Sequence, residues 1–218
     1  IRILYFILID YLFYSLNIFY IIKMKKMSLN TVHNKIWKFL EEGITDSKSG
    51  FHFPTISTID KNGYPSSRTV VLRKIEKKSK IISFNTDIRS NKWLEIKNNN
   101  KVSVNIYDAT KKTQIRILGM AILNYKNASW DSAWELTPNM SRECYSTPYS
   151  PSTIIQKPED IDNNLKNITD KQFDKFKINF GRIDIHINSL DWLYLIHSGH
   201  RRARFIYNKK ISMSWLAP

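Results

Sequence analysis

Thr55-Ile-Ser-Thr-Ile-Asp60, Lys61-Asn-Gly-Tyr-Pro65 and Ser67-Arg-Thr-Val-Val-Leu-Arg73, read in succession, decide the fold. The outer runs have the period of two expected of half-buried strands, and Asn62-Gly63 between them is a strong hairpin signal. A second turn, Glu76-Lys-Lys-Ser79, leads into Lys80-Ile-Ile-Ser-Phe-Asn-Thr86, so the pattern predicts three consecutive antiparallel strands in a meander. Further strand runs follow at Val102–Tyr107 and Thr113–Leu118, and the chain returns to strand at Gly181–Ile187, Trp192–Ile196, Arg204–Tyr207 and Ser212–Trp215.

Helical spacing fills the gaps. Val32, Ile36, Phe39 and Leu40 make one face of a short helix that starts near Ser28 and stops before Gly43. Lys92–Lys97 reads as a second helix, closed by Asn98-Asn-Asn100, and Ala128–Thr137 and Asn139–Tyr145 as two more. The polar, acidic run Glu159–Asp174 predicts a helix facing solvent. Strands that begin as a meander and end as a hairpin, with short helices between, fit a small closed or half-closed barrel, with a flat sheet as the alternative.

With 218 residues, 42% hydrophobic and 24% charged, the chain is long enough for one domain and is neither disordered nor low-complexity. Lys plus Arg exceed Asp plus Glu by 34 to 19, a net charge of +15. That balance favours anionic partners, yet Lys77-Lys78, Lys111-Lys112 and Lys209-Lys210 sit in turns and read as solvated charge, so nucleic acid is not expected. The single cysteine, Cys144, excludes an intramolecular disulfide and a thiolate metal cluster. His197-Ser-Gly-His200 lacks a third ligand nearby, so no metal is expected. Residues 1–23 form a unit apart: the apolar run Ile3–Ile22 is either upstream sequence preceding a start at Met24 or Met27, or a hydrophobic anchor flanked by Lys23, Lys25 and Lys26. A membrane is a partner only in the second case. Residues 24–218 are expected to form one cytoplasmic domain.

Chemistry concentrates between Arg68 and Lys92. On a strand, Arg68, Val70 and Leu72 point one way while Thr69, Val71 and Arg73 point the other. Ser90, Asn91 and Lys92 open a helix whose free N–H groups can receive an anion. Arg68 could converge with Ser90 and Lys92 on a phosphate.

Arg68-Thr-Val-Val-Leu-Arg73, Phe84-Asn-Thr86, Ser90-Asn-Lys92, Gln114 five residues before Gly119, Arg204-Phe205 and Trp215-Leu-Ala-Pro218, taken in that order, resemble the pyridoxamine 5'-phosphate oxidase family. The resemblance implies a mainly β fold with flanking helices, a six-stranded antiparallel split β-barrel that forms a homodimer and holds FMN between subunits. It places Arg68 on the FMN phosphate beside Thr86, Ser90, Asn91 and Lys92, with Thr69 and Arg73 in the same motif. It also implies backbone contacts from Val70, Val71 and Leu72 to the flavin edge, and Gln114, Tyr194 and Arg204 around the ring system.

Where the family's substrate-phosphate residues would fall, this chain has Trp130-Asp-Ser-Ala-Trp134, and Arg142 is the nearby candidate. Near the C-terminus it reads His200-Arg-Arg-Ala-Arg204, with Ala203 where the family has Asp, and Arg73 stands where the family has Lys. Arg73, Arg142, His200 and Arg202 are therefore the substrate candidates. The resemblance implies an FMN-dependent oxidoreductase transferring hydride to or from a small substrate, pyridoxamine or pyridoxine 5'-phosphate being the family's form. The alternative is a non-enzymatic split-barrel protein that binds another cofactor or nucleic acid.

Overall fold

The computed structural model describes residues 27–162 and 170–218, so the expectations for residues 1–23 lie outside the described residues. Helix α1 (Leu29–Thr45) begins where the Ser28 side chain accepts from the Thr31 N–H at 3.1 Å and buries Val32, Ile36, Trp37, Phe39 and Leu40. The first hairpin joins β1 (Thr55–Ile59) to β2 (Pro65–Thr69). In its turn the Asp60 carboxylate accepts from the Asn62 and Tyr64 amides at 2.8 Å, and Gly63 takes a φ of +85°.

The meander ends there. β3 (Lys74–Glu76), carved partly from what reads as a turn, pairs with β4 (Ile81–Asp87), and this hairpin lies at the far end of the sheet from β2. Helix α2 (Asn91–Asn98) follows, then the long antiparallel pair β5 (Lys101–Asp108) and β6 (Thr113–Asn124). α3 (Ala128–Glu135), α4 (Asn139–Arg142) and a 3-10 turn Glu143–Tyr145 lead to α5 (Glu159–Asp162). A 3-10 run Asp170–Asn179 then enters β7 (Phe180–Tyr194), and the chain closes with β8 (Arg201–Tyr207) and β9 (Ile211–Leu216). Of the acidic helix expected over 159–174, only these two short pieces are described, and Phe173 in the second is buried.

The order β2-β1-β5-β6-β7-β4-β3, with β8 and β9 continuing from β7, is an open antiparallel sheet that makes a split barrel. Nine strands are present where the resemblance implies six and the sequence pattern reads nine runs. Two of the strand runs read from sequence fuse into the single β7, and β3 is added. β7 is the spine: β6 pairs along one edge, while the other edge pairs with β4 over Phe180–His186 and with β8 over Ser189–Tyr194. At the change of partner Asn188 is an extra residue, opposed between Leu118 and Gly119 of β6. A Cβ on Gly119 would stand 2.5 Å from the His186 carbonyl oxygen, so the bulge needs glycine there.

One face of the sheet and α1 enclose the main core, built from Ile56, Leu72, Phe84, Val104, Ile117, Ile185 and Phe205 among others. A smaller core gathers Ala133, Trp134, Tyr145, Phe173 and Phe180. The opposite face of β5, β6 and β8 exposes Tyr107, Leu118, Met120, Ile122 and Ile206.

Candidate functional site

Arg68 lies on β2 opposite Ile56, and strand alternation turns its side chain to the face covered by α2. One guanidinium nitrogen, Nη1, donates to the Thr58 hydroxyl; the other, Nη2, donates to Ser66 Oγ at 2.7 Å and to Glu95 Oε2 at 2.8 Å. Glu95, buried on α2, also accepts from the Thr58 hydroxyl, so the carboxylate fixes both neighbours. Three residues earlier on the same helix, Lys92 donates from Nζ to Thr86 Oγ1 at 2.8 Å. Burial pushes the Lys92 ammonium below the ordinary 10.5, and the nearby Arg68 guanidinium pushes it further, against the weaker pull of Asp87 and Glu95. Among the described residues no carboxylate stands within ion-pair distance of Lys92.

Ser90, buried at the start of α2, directs its hydroxyl to the Asp87 carbonyl at 2.6 Å and makes no side-chain cap, which leaves the first helix amides facing outward. Asn91 is exposed beside them. Arg68, Thr86, Ser90 and Lys92 thus form one cluster of two cations, two hydroxyls and a helix start. Beyond β2, Val70 and Leu72 are buried and donate to the carbonyls of Pro54 and His52, so Val71 keeps the amide of the three that has no such partner among the described residues. Thr69 and Arg73 are exposed.

Gln114 and Arg204 lie elsewhere. Gln114 donates to Asn105 Oδ1 at 2.7 Å on the outer face of β5 and β6. On the same face Arg116, Arg202 and Arg204 converge on Asp191, with contacts of 2.9 to 3.2 Å, beside a depression of about 550 Å³. Burial raises the Asp191 carboxyl, but hydrogen bonds from Arg202, Arg116 and Arg204 outweigh it and hold the group below the usual carboxylate range. Three strand spacings of about 4.8 Å and the thickness of the sheet separate Gln114 on β6 from Arg68 on β2. Tyr194 is not with Gln114. Its ring stacks on Trp192, centroids 6.0 Å apart, with the Lys35 ammonium 5.9 Å above it.

The substrate candidates separate too. Arg142 donates to the Thr137 and Trp134 carbonyls at 2.9 Å and lies 4.8 Å over the Trp134 ring, so it closes the end of α3. His200 is in an exposed turn, where Nδ1 accepts from the Ile196 amide. Arg73 rims a cavity of about 110 Å³ with Asn85, Thr137 and Arg182. There the Thr137 hydroxyl donates to the Ala133 carbonyl and accepts from Asn85 Nδ2, which fixes the amide and leaves Asn85 Oδ1 buried without a donor among the described residues. Sequence reasoning missed Thr58, Glu95, Asn85, Arg182 and Asp191. The signal for Glu95 was its position three residues after Lys92, which puts both on one helix face.

The fold is that of a split-barrel protein, and Arg68, Thr86, Ser90 and Lys92 gather at the start of α2. The family model described as pyridoxamine 5'-phosphate oxidase, FMN-binding domain, matches residues 34–124. Pyridoxine/pyridoxamine 5'-phosphate oxidase 2 of Arabidopsis thaliana is 31% identical over 141 residues, covering 59% of this chain and 71% of that protein. The chain belongs to the pyridoxamine 5'-phosphate oxidase-type FMN-binding family. Two crystal structures share its fold. A pyridoxamine 5'-phosphate oxidase-related, FMN-binding protein of Nostoc punctiforme PCC 73102 superposes with a TM-score of 0.68 at 20% identity, covering 88% of this chain and all of that one. PhzG of Burkholderia lata 383, in complex with tetrahydrophenazine-1-carboxylic acid, gives 0.66 at 16% identity, covering 85% and 91%.

Proposed function

We propose that this protein binds FMN as a homodimer and is an FMN-dependent oxidoreductase for a small, acidic substrate. The observation that carries the reading is the apposition of Arg68 and Lys92. Two cations near enough to repel, one of them partly desolvated and without a carboxylate partner among the described residues, are stabilised by a dianion, and a phosphate monoester supplies one. The uncapped first amides of α2 add donors on the same side. Glu95 and Thr58 hold the guanidinium in place beforehand, so little ordering is left for binding.

Gln114 and Arg204 face away from Arg68, and a single chain cannot close both groups around one small cofactor. A second copy laid on the exposed face of Tyr107, Leu118, Met120, Ile122 and Ile206 would cover that apolar surface and bring its own Gln114 and Arg204 toward this cluster. Asp191 orients Arg202 and Arg204 for that role. Bound FMN supplies the hydride chemistry, and the chain supplies orientation and charge. Arg73 and Arg182 attract an acidic group into the small cavity, and the unpaired Asn85 Oδ1 receives an N–H or O–H from the same molecule.

The test is to load purified protein with FMN, record the flavin spectrum and follow aerobic turnover of pyridoxamine 5'-phosphate. A saturable FMN complex with turnover is expected; absence of FMN binding at micromolar concentrations rejects the reading. Leu118→Arg should yield a monomer in sedimentation and weaken FMN binding by about tenfold or more. A dimer unchanged by that substitution would reject the proposed interface.

A further inference from the structure

Two of the turns that read as separate solvated charge in the sequence, those of Lys77-Lys78 and Lys209, meet in space. Where β7 leaves β4 and joins β8, the sheet has a notch of about 600 Å³. The β3–β4 turn walls one side with Lys77, Lys78 and Lys80, and the β8–β9 turn walls the other with Lys209. The Ile187 amide donates to the Lys80 carbonyl at 2.9 Å and closes the base of the notch. Behind the ammonium rim the lining mixes Ile187, Ile211, Met213 and Tyr207 with the polar His33, Ser79, His186 and Asn208.

Several contacts organise this rim. Lys80 adopts a φ of +57°, donates from Nζ to the Lys78 carbonyl at 2.8 Å and stands 5.8 Å from the centre of the Tyr207 ring. Lys77 donates to Asn34 Oδ1 at 3.0 Å on α1. Tyr207 is held in turn by His33 Nε2 at 2.8 Å and by the Trp37 indole N–H at 3.2 Å. Burial, and then the charges of Lys77 and Lys80, keep the His33 imidazole below its usual 6.5, so the field in the notch is positive.

Charge balance distinguishes this notch from most of the other basic groups. Arg68, Arg89, Lys111, Arg116, Arg142, Arg182, Arg202 and Arg204 each have a carboxylate partner. Among the described residues no Asp or Glu lines the notch, and none of its four lysines forms an ion pair. We infer that this notch is a second anion site, separate from the Arg68–Lys92 cluster, for a small organic phosphate whose apolar body rests on Tyr207, Ile211 and Met213. A half-open notch of this size, with Tyr207, Ile211 and Met213 in its wall, suits a compact molecule better than a polymer, whose charges would bind along an extended basic stripe.

The probes are phenyl phosphate, inorganic phosphate and a twelve-residue oligothymidylate, titrated into the full chain with and without saturating FMN and followed by amide chemical shifts and calorimetry. Phenyl phosphate should move the resonances of Lys80, Tyr207 and Lys209, bind several-fold more tightly than inorganic phosphate, and do so whether or not FMN is present. Lys78→Ala/Lys209→Ala should weaken it by about tenfold. Lys78→Arg/Lys209→Arg should retain it, and Arg68→Ala should leave it unchanged. Loss of binding in Arg68→Ala alone, no response to the double alanine variant, or tighter binding of the oligonucleotide than of phenyl phosphate would each overturn the inference.

Discussion

Removing the guanidinium of Arg68 separates its contacts within the fold from the FMN-binding role proposed for it. Of the five N–H donors of an arginine, three are engaged by Thr58, Ser66 and Glu95, which leaves Nε–H and one Nη1–H for a ligand. Losing charge-assisted contacts from those donors should weaken FMN binding by ~1.5–3 kcal/mol, about tenfold to a hundredfold in Kd. The same substitution leaves Glu95, with its side chain only 10% exposed, without its counter-charge. Breaking a pair so far out of water should destabilise the fold by roughly 2–4 kcal/mol, the lower end allowing for the 22% exposure of Arg68. Arg68→Ala/Glu95→Gln removes the stranded charge, so thermal unfolding without FMN should recover most of the loss while Kd, from quenching of flavin fluorescence, stays raised. An unchanged Kd in Arg68→Ala would refute the phosphate assignment. Recovery of both quantities in the double variant would show that Arg68 acts only through the fold.

Two further outcomes follow from the same geometry. Because the folded-state pKa of Lys92 is depressed below 10.5, charging this group opposes folding below the depressed value, and the penalty fades as pH rises toward 10.5. FMN affinity should therefore fall as pH climbs through the depressed value, while unliganded wild type gains stability relative to Lys92→Met; Lys92→Arg should flatten the affinity profile, and a profile identical in wild type and Lys92→Arg contradicts the role. Arg142→Ala should lower stability by about 1–2 kcal/mol, through loss of the carbonyl contacts at the end of α3 and of the Trp134 face, with the KM for pyridoxamine 5'-phosphate unchanged in thermal-shift and steady-state assays. A raised KM with intact stability would instead make Arg142 a substrate ligand.

Local signals were legible wherever local chemistry fixes the backbone. Asn62-Gly63 marks a real hairpin, and the alternation from Arg68 to Leu72 gives the correct inward face even where the strand itself stops at Thr69. The supposed meander failed because β4 takes β7 as its neighbour, a partner roughly a hundred residues away along the chain that no local period encodes. β7 read as two strands because the bulge at Asn188 interrupts the alternation without ending the strand. The cluster of Arg68, Thr86, Ser90 and Lys92 was visible as motif spacing. Glu95 was not, since a helical glutamate ordinarily faces water and this one is buried only because Arg68 and Thr58 stand beneath it. Arg142 looked available because sequence cannot show that the carbonyls at the end of α3 already occupy it.

The shared neighbour β7 also governs how the chain reaches its shape. Ile81 must find His186, and Asn124 must find Arg182, so these pairings are made across long loops of sequence and the contact order is high. Until the ribosome has released the residues up to Tyr194, the exposed rims of β4 and β6 have nothing to zip against. Slow assembly and a window of vulnerability to aggregation during synthesis are the kinetic consequence of running a barrel off one late strand.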